Sequence, residues 1–183
     1  MKVNHAIIMD FETTGLNKHP DADLHKQPKA IEFGGVLISL KDGSIKEELN
    51  ILINPREPLE AIITKITGIT NEQLVGQPTF DEALPTIRAM FAKAVGVVAH
   101  NLPFDKAILF GELARRNITD FPWPPREMCT VGLYREQWGR NPKLIELYES
   151  IMGKPLAQTH RALDDVKAMV EFIQKEKLWE FIV

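Results

Sequence analysis

Near the start of the chain, the string Asp10-Phe11-Glu12-Thr13-Thr14-Gly15-Leu16 follows directly on an apolar run, Ala6-Ile7-Ile8-Met9. A short apolar run bounded by polar residues reads as a buried β-strand. Residues two apart on a strand share a face, so Asp10 and Glu12 project side by side at the strand's end and Phe11 points the other way. Two carboxylates held that close repel, and burying them unpaired is costly. A positive charge belongs between them, and Mg²⁺ or Mn²⁺ suits oxygen ligands best. Taken alone, the string would serve equally well as a solvated acidic turn, with Thr13, Thr14 and Gly15 merely ending the strand.

Two further strings decide between these readings. Val95-Gly96-Val97-Val98-Ala99 reads as a second buried strand, leading into His100-Asn101-Leu102-Pro103-Phe104-Asp105. Pro103 suits the first turn of a helix, where its missing N–H is no loss. The spacing of Ala107, Ile108, Leu113 and Ala114 predicts that helix over Phe104 to Asn117, with Arg115 and Arg116 at the terminus that favours cations. Asp105 then lies in a first helical turn just past a strand. The third string, Thr159-His160-Arg161-Ala162-Leu163-Asp164-Asp165, opens the last helix, whose buried stripe is Leu163, Val166, Val170 and Ile173. At about 100° per residue, Asp165 falls at the flank of that stripe. Asp164 falls further round, beside Lys167 and Ala168, where a solvated acid would sit.

Four carboxylates and a histidine in this order resemble the DEDDh family of 3′→5′ exonucleases, the group that includes the proofreading subunits and domains of replicative polymerases. Asp-Phe-Glu-Thr-Thr-Gly-Leu at 10–16, His-Asn-Leu-Pro-Phe-Asp at 100–105 and His-Arg-Ala-Leu-Asp-Asp at 160–165 carry the resemblance, which covers nearly the whole chain. Ile31-Glu32-Phe33-Gly34-Gly35-Val36 looks like the family's second strand, and Thr67-Gly68-Ile69-Thr70 like its short linker motif. The resemblance implies an α/β, RNase H-like fold, a central mixed five-stranded sheet flanked by helices. It implies Asp10, Glu12, Asp105 and Asp165 as ligands of two Mg²⁺ or Mn²⁺ ions, and His160 as general base. In the family pattern Asp10, Asp105 and Asp165 hold the first ion with Glu12 beside it, and Asp10 is the main ligand of the second. Thr13, Thr14, Gly15 and Leu16 would line the pocket for the terminal nucleotide, through backbone N–H groups and an apolar Leu16 wedge. Asn101 joins them as a substrate-binding residue. Phe104 either stacks on a base or packs beneath the Asp105 helix. The chain departs from the pattern at Thr67, where a His is usual, and in the long stretch Asn17 to Lys29.

The implied activity is release of nucleoside 5′-monophosphates from the 3′ end of single-stranded DNA. An exoribonuclease using the same chemistry is the alternative, and a catalytically dead nucleic-acid-binding scaffold a more distant one. A net charge of −3 argues against wrapping long duplex, which needs a basic face, but not against gripping a strand end. At 183 residues the length suits one exonuclease domain, 1–183. No stretch has membrane-spanning length and no signal peptide is visible. A single Cys129 precludes an internal disulfide and fits a reducing, cytoplasmic compartment. It reads as a packing residue. His5, His19, His25, Asp21 and Asp23 lack a regular ligand spacing and read as solvated loop. Lys41-Asp42-Gly43-Ser44 is a hairpin signal. Thr79 with Glu82 has capping-box spacing, and Pro85 predicts an irregular start to that helix. Asn141-Pro142 should open a helix ended by Gly153, and Pro122, Pro124 and Pro125 around Trp123 mark a stiff loop. The apolar end, Leu178 to Val183, could pack on the domain or on another chain. It leaves no tail for docking a polymerase, which favours a free-standing nuclease or one that binds a partner, such as a polymerase, by its surface. Oligomeric state stays open.

Overall fold

The structure, a computed structural model, describes residues 4–16 and 22–182. His19 and Asp21 lie outside them. Five strands, β1 (His5–Thr13), β2 (Ala30–Ser39), β3 (Ile45–Leu52), β4 (Gly96–Ala99) and β5 (Arg126–Cys129), form one sheet in the order β3-β2-β1-β4-β5. β2 pairs antiparallel with both β1 and β3, whereas β4 runs parallel to β1 and β5 parallel to β4. This is the expected mixed sheet.

Period-two alternation in β1 divides the interior into two cores. Ile7, Met9 and Phe11 pack with Ile87, Met90 and Phe91 of α3 (Phe80–Phe91) and with Ile108 and Leu109 of α4 (Leu102–Ala114). Ala6 and Ile8 face the other way. They meet Leu147 and Tyr148 of α6 (Leu144–Met152) and Val166, Met169, Phe172 and Ile173 of α7 (Ala162–Glu176). A strand covered on both faces has no solvated side, and β2 is accordingly buried along its whole length. A small third cluster of Ile31, Leu59, Ile63, Ile69 and Leu74 lies under α1 (Ala61–Thr67) and α2 (Asn71–Leu74). The chain end packs on its own domain, where Leu178 and Ile182 are buried.

Several boundaries differ from the sequence reading. α4 starts two residues earlier than expected and stops at Ala114, because Asn101 takes a left-handed φ of 65° and turns the chain from β4 straight into the helix. Arg115 and Arg116 therefore lie beyond α4. Arg115 donates to the carbonyls of Leu24, Gln27 and Pro28, and Arg116 binds Asp81 and Glu112. α3 runs through Pro85, and its start at Phe80 is regular: Glu82 accepts from the Thr79 N–H at 2.7 Å. α6 begins at Leu144, not at Pro142, and Gly153 closes it at φ 69°. Ala168, expected beside the solvated face of the last helix, is buried. The Cys129 thiol caps α5 (Thr130–Trp138), accepting from the Gly132 N–H at 3.4 Å. Trp123 stacks on Phe91 with ring centroids 5.6 Å apart, which holds the proline loop against the core.

Candidate active site

The even-numbered face of β1 continues Ala6, Ile8, Asp10, Glu12, and that is the face on which α7 lies. Asp10 and Glu12 are therefore delivered under the first turn of α7, where Asp165 is buried. Asp10, Glu12 and Asp165 each offer a carboxylate oxygen within 4.8 Å of the others, the one such acidic cluster among the described residues. Asp164 points to solvent and accepts from the Thr159 hydroxyl at 2.7 Å. Asp165 instead accepts from Gln158 Nε2 at 3.1 Å.

The charges in this cluster oppose one another. Burial, together with Asp165 and Glu32, pushes the Asp10 carboxyl up to about 8. Burial, then Asp10, Asp165 and Glu32, pushes Glu12 up to about 9, against the lowering effect of Arg161. Asp165 is raised chiefly by burial, which Gln158 and His160 partly offset. Carboxyls this reluctant to ionise mark a place where a cation belongs. The donors are all hard oxygens, the set that Mg²⁺ and Mn²⁺ prefer.

Asp105 arrives from the opposite side of the sheet, in the first turn of α4, and is 1% exposed. Its Oδ1 accepts the Phe11 N–H at 3.0 Å, so it holds the backbone between Asp10 and Glu12. Burial and the charge on Asp10 raise its pKa well above the usual carboxylate range. It acts on Asp10 electrostatically but is not one of the clustered three. His160 is exposed, sits one residue outside α7's N-cap, and takes a left-handed φ of 49°.

Among the expected substrate contacts, Thr13, Thr14, Gly15, Leu16 and Phe104 line one cleft of about 470 Å³ with Ile62 and Ile66 of α1. Leu16 is 70% exposed, as a wedge against a base would be. The Thr14 N–H and hydroxyl are bound to the Lys29 carbonyl and N–H at 2.9 and 3.0 Å, and the Thr13 hydroxyl donates to the Gly15 carbonyl. Phe104 is half-buried, packing against the core while also lining the cleft. Asn101 is exposed and is not among the cleft residues.

Two residues of the site have no role in the sequence reading. Glu32, 0% exposed on β2, stands opposite Glu12 in the β1–β2 register and binds Arg161 and the Ala162 N–H. Its signal in the sequence was a lone acid inside an otherwise apolar strand. His100 joins the end of β4 to two later segments, Nδ1 lying 2.8 Å from the Thr130 hydroxyl and Nε2 3.1 Å from the Pro142 carbonyl. A carbonyl only accepts, so these partners place the proton on Nε2. Burial lowers its pKa, against the Pro142 bond, and keeps the ring neutral.

A family model described as an exonuclease matches residues 7–173. The chain is 33% identical over 171 residues to a PolC-type DNA polymerase III of Clostridium perfringens, a match covering 92% of this chain but only 11% of that protein. It is 32% identical over 180 residues to a DNA polymerase III subunit epsilon of Aquifex aeolicus, covering 94% of this chain and 81% of that subunit. Among solved structures, the nuclease domain of 3′hExo, a DEDDh family member bound to rAMP, shares the fold with a TM-score of 0.77. That match has 19% identity and covers 97% of this chain and 93% of the other.

Proposed function

Because the chain belongs to the DEDDh exonuclease family, we propose that it removes nucleoside 5′-monophosphates one at a time from the 3′ end of single-stranded DNA. The observation that carries this reading is the clustering of Asp10, Glu12 and Asp165 within 4.8 Å beside an apolar-rimmed cleft sized for a nucleotide. Asp10, Glu12 and Asp165 would hold a first Mg²⁺ or Mn²⁺ ion, in place of the Asp10, Asp105 and Asp165 set expected from the family pattern. Asp10, within electrostatic reach of Asp105 as well, would serve a second ion. Such a pair supplies charge neutralisation on the phosphate and an acidified water. The chain's own residues do the rest. His160, outside the helix and exposed, takes the proton from the attacking water. Asp105 fixes the strand end through the Phe11 N–H. Leu16 and Phe104 supply apolar surface to the terminal base, and among the described residues no hydrogen bond engages the N–H groups of Gly15 and Leu16, whereas Thr14's is bound to Lys29. Stacking reads no base identity, so cleavage is largely indifferent to sequence.

DNA is favoured as substrate because the curated relatives named above are DNA polymerase components. On the same likeness we propose that the chain acts as one exonuclease domain, docks by its surface on a polymerase and works in the cytoplasm. Among the described residues no helix is long and apolar enough to cross a membrane. An exoribonuclease is the second reading, since the structural neighbour carries a ribonucleotide. End-labelled DNA and RNA oligonucleotides of equal length, incubated with Mg²⁺ or Mn²⁺, test both. The expected result is a ladder shortening from the 3′ end, faster on DNA and abolished by EDTA. Undiminished activity in EDTA, or degradation from the 5′ end, would overturn the proposal.

A further inference from the structure

We infer that Glu32 and Arg161 form a charge-matched clamp that positions the His160–Asp165 segment over β1, an inference resting on the exonuclease reading above. Arg161 forks onto Glu32 through Nε at 2.9 Å and Nη2 at 2.5 Å, and the Ala162 N–H, the first of α7, donates to the same carboxylate at 3.0 Å. Asn50 Nδ2 completes the set at 3.1 Å. One fully buried side chain on β2 thus caps α7 and also grips the residue next to His160. That grip matters because no side chain of the described structure holds the His160 ring, and its left-handed backbone must be imposed from outside.

The same pair sets the local charge. Asp10, Glu12, Asp105, Asp165 and Glu32 are five neighbouring carboxylates, and Arg161 neutralises Glu32, which acts on Asp10 and Glu12 but lies outside the clustered three, so that four would remain opposite two dications. Arg161 also acts on Glu12. Freed from Glu32, its guanidinium would compete with a metal ion for that carboxylate. Glu32 is therefore a positioning residue, and its partner must be removed with it if metal binding is to survive.

Three variants test this: E32Q, R161M and the double variant, read by steady-state kinetics on a 3′-labelled strand and by Mn²⁺ affinity measured calorimetrically. All three should lower kcat by about 10–100-fold, the usual cost of losing a group that orients a ligand, with KM little changed. The double variant should be no worse than either single one. E32Q should weaken Mn²⁺ binding about tenfold, within that same range, and adding R161M should recover the part of that loss caused by the freed guanidinium. A double variant that binds Mn²⁺ no better than E32Q would overturn the clamp, as would kcat values near wild type. The charge-neutral double variant keeps the test alive if a single one misfolds. Should the wild-type protein degrade neither DNA nor RNA, the functional reading fails by itself. Amide exchange at Ala162 then decides the clamp: acceleration in E32Q and R161M supports it, and unchanged exchange overturns it.

Discussion

Asp164 and Asp165 are neighbours in the chain with opposite surroundings, and the difference is geometric. One residue of helix turns a side chain by about 100°, enough to carry Asp165 under the sheet beside Asp10 and leave Asp164 in water with Thr159. Asp165→Asn should therefore abolish most activity and weaken Mn²⁺ binding. Asp164→Asn should cost little, and rates with the reverse order would show the metal assignment to be wrong. His160→Ala should lower hydrolysis by about 10²–10⁴-fold, the ordinary worth of a general base, with Mn²⁺ affinity retained. Calorimetry beside single-turnover rates separates the two effects. Histidine type alone is no guide here: His100 is the better-bonded ring, and its bonds to Thr130 and Pro142 make it a tether.

Among the elements, α7 matters most, because its first turn must approach β2 closely enough for Asp165 to reach Asp10. Gly34, paired with Asp10 across β1–β2, makes that approach possible. A Cβ on Gly34 would stand 2.5 Å from backbone atoms of Ala162 and Leu163, which cannot move aside as a flexible side chain could. Gly34→Ala should push α7 off the sheet, cost about 1–3 kcal/mol of stability as overpacking does, and remove most activity. A thermal melt and a rate measurement on one preparation check both. The sequence showed the helix, its stripe and the second strand, but a glycine in a strand carries no label saying which distant backbone will press on it. Similarly, the early start of α4 depended on a left-handed Asn101, which apolar spacing does not report.

At the scale of the molecule, the acidic cluster links stability, metal and pH. Unfolded, Asp10 and Glu12 would titrate near 3.8 and 4.5, whereas in the fold they are raised to about 8 and 9. The metal-free fold thus binds more protons than the unfolded chain from about pH 4 to 9, and its stability falls as pH rises through that window. Surface acids held low by partners, such as Glu146 at about 2 beside Arg140, act in the opposite sense only in more acid solution. Melts of metal-free protein should give a lower Tm at pH 9 than at pH 6. Mn²⁺ should raise Tm more at pH 9, because metal displaces those protons, and a Tm independent of pH and metal would rule this out. The sequence by itself determined the local facts: strands from bounded apolar runs, helices from spacing, and carboxylates on a shared strand face. The last two follow from periodicities of 3.6 and two residues, which are written in neighbouring positions. Only the tertiary structure decided which oxygens lie within 4.8 Å of one another, that Asp105 of α4 answers to a backbone N–H on β1, and that Glu32 reaches Arg161 across 129 positions of chain. Such pairings depend on sheet order and helix approach, and those are fixed by packing over the whole core.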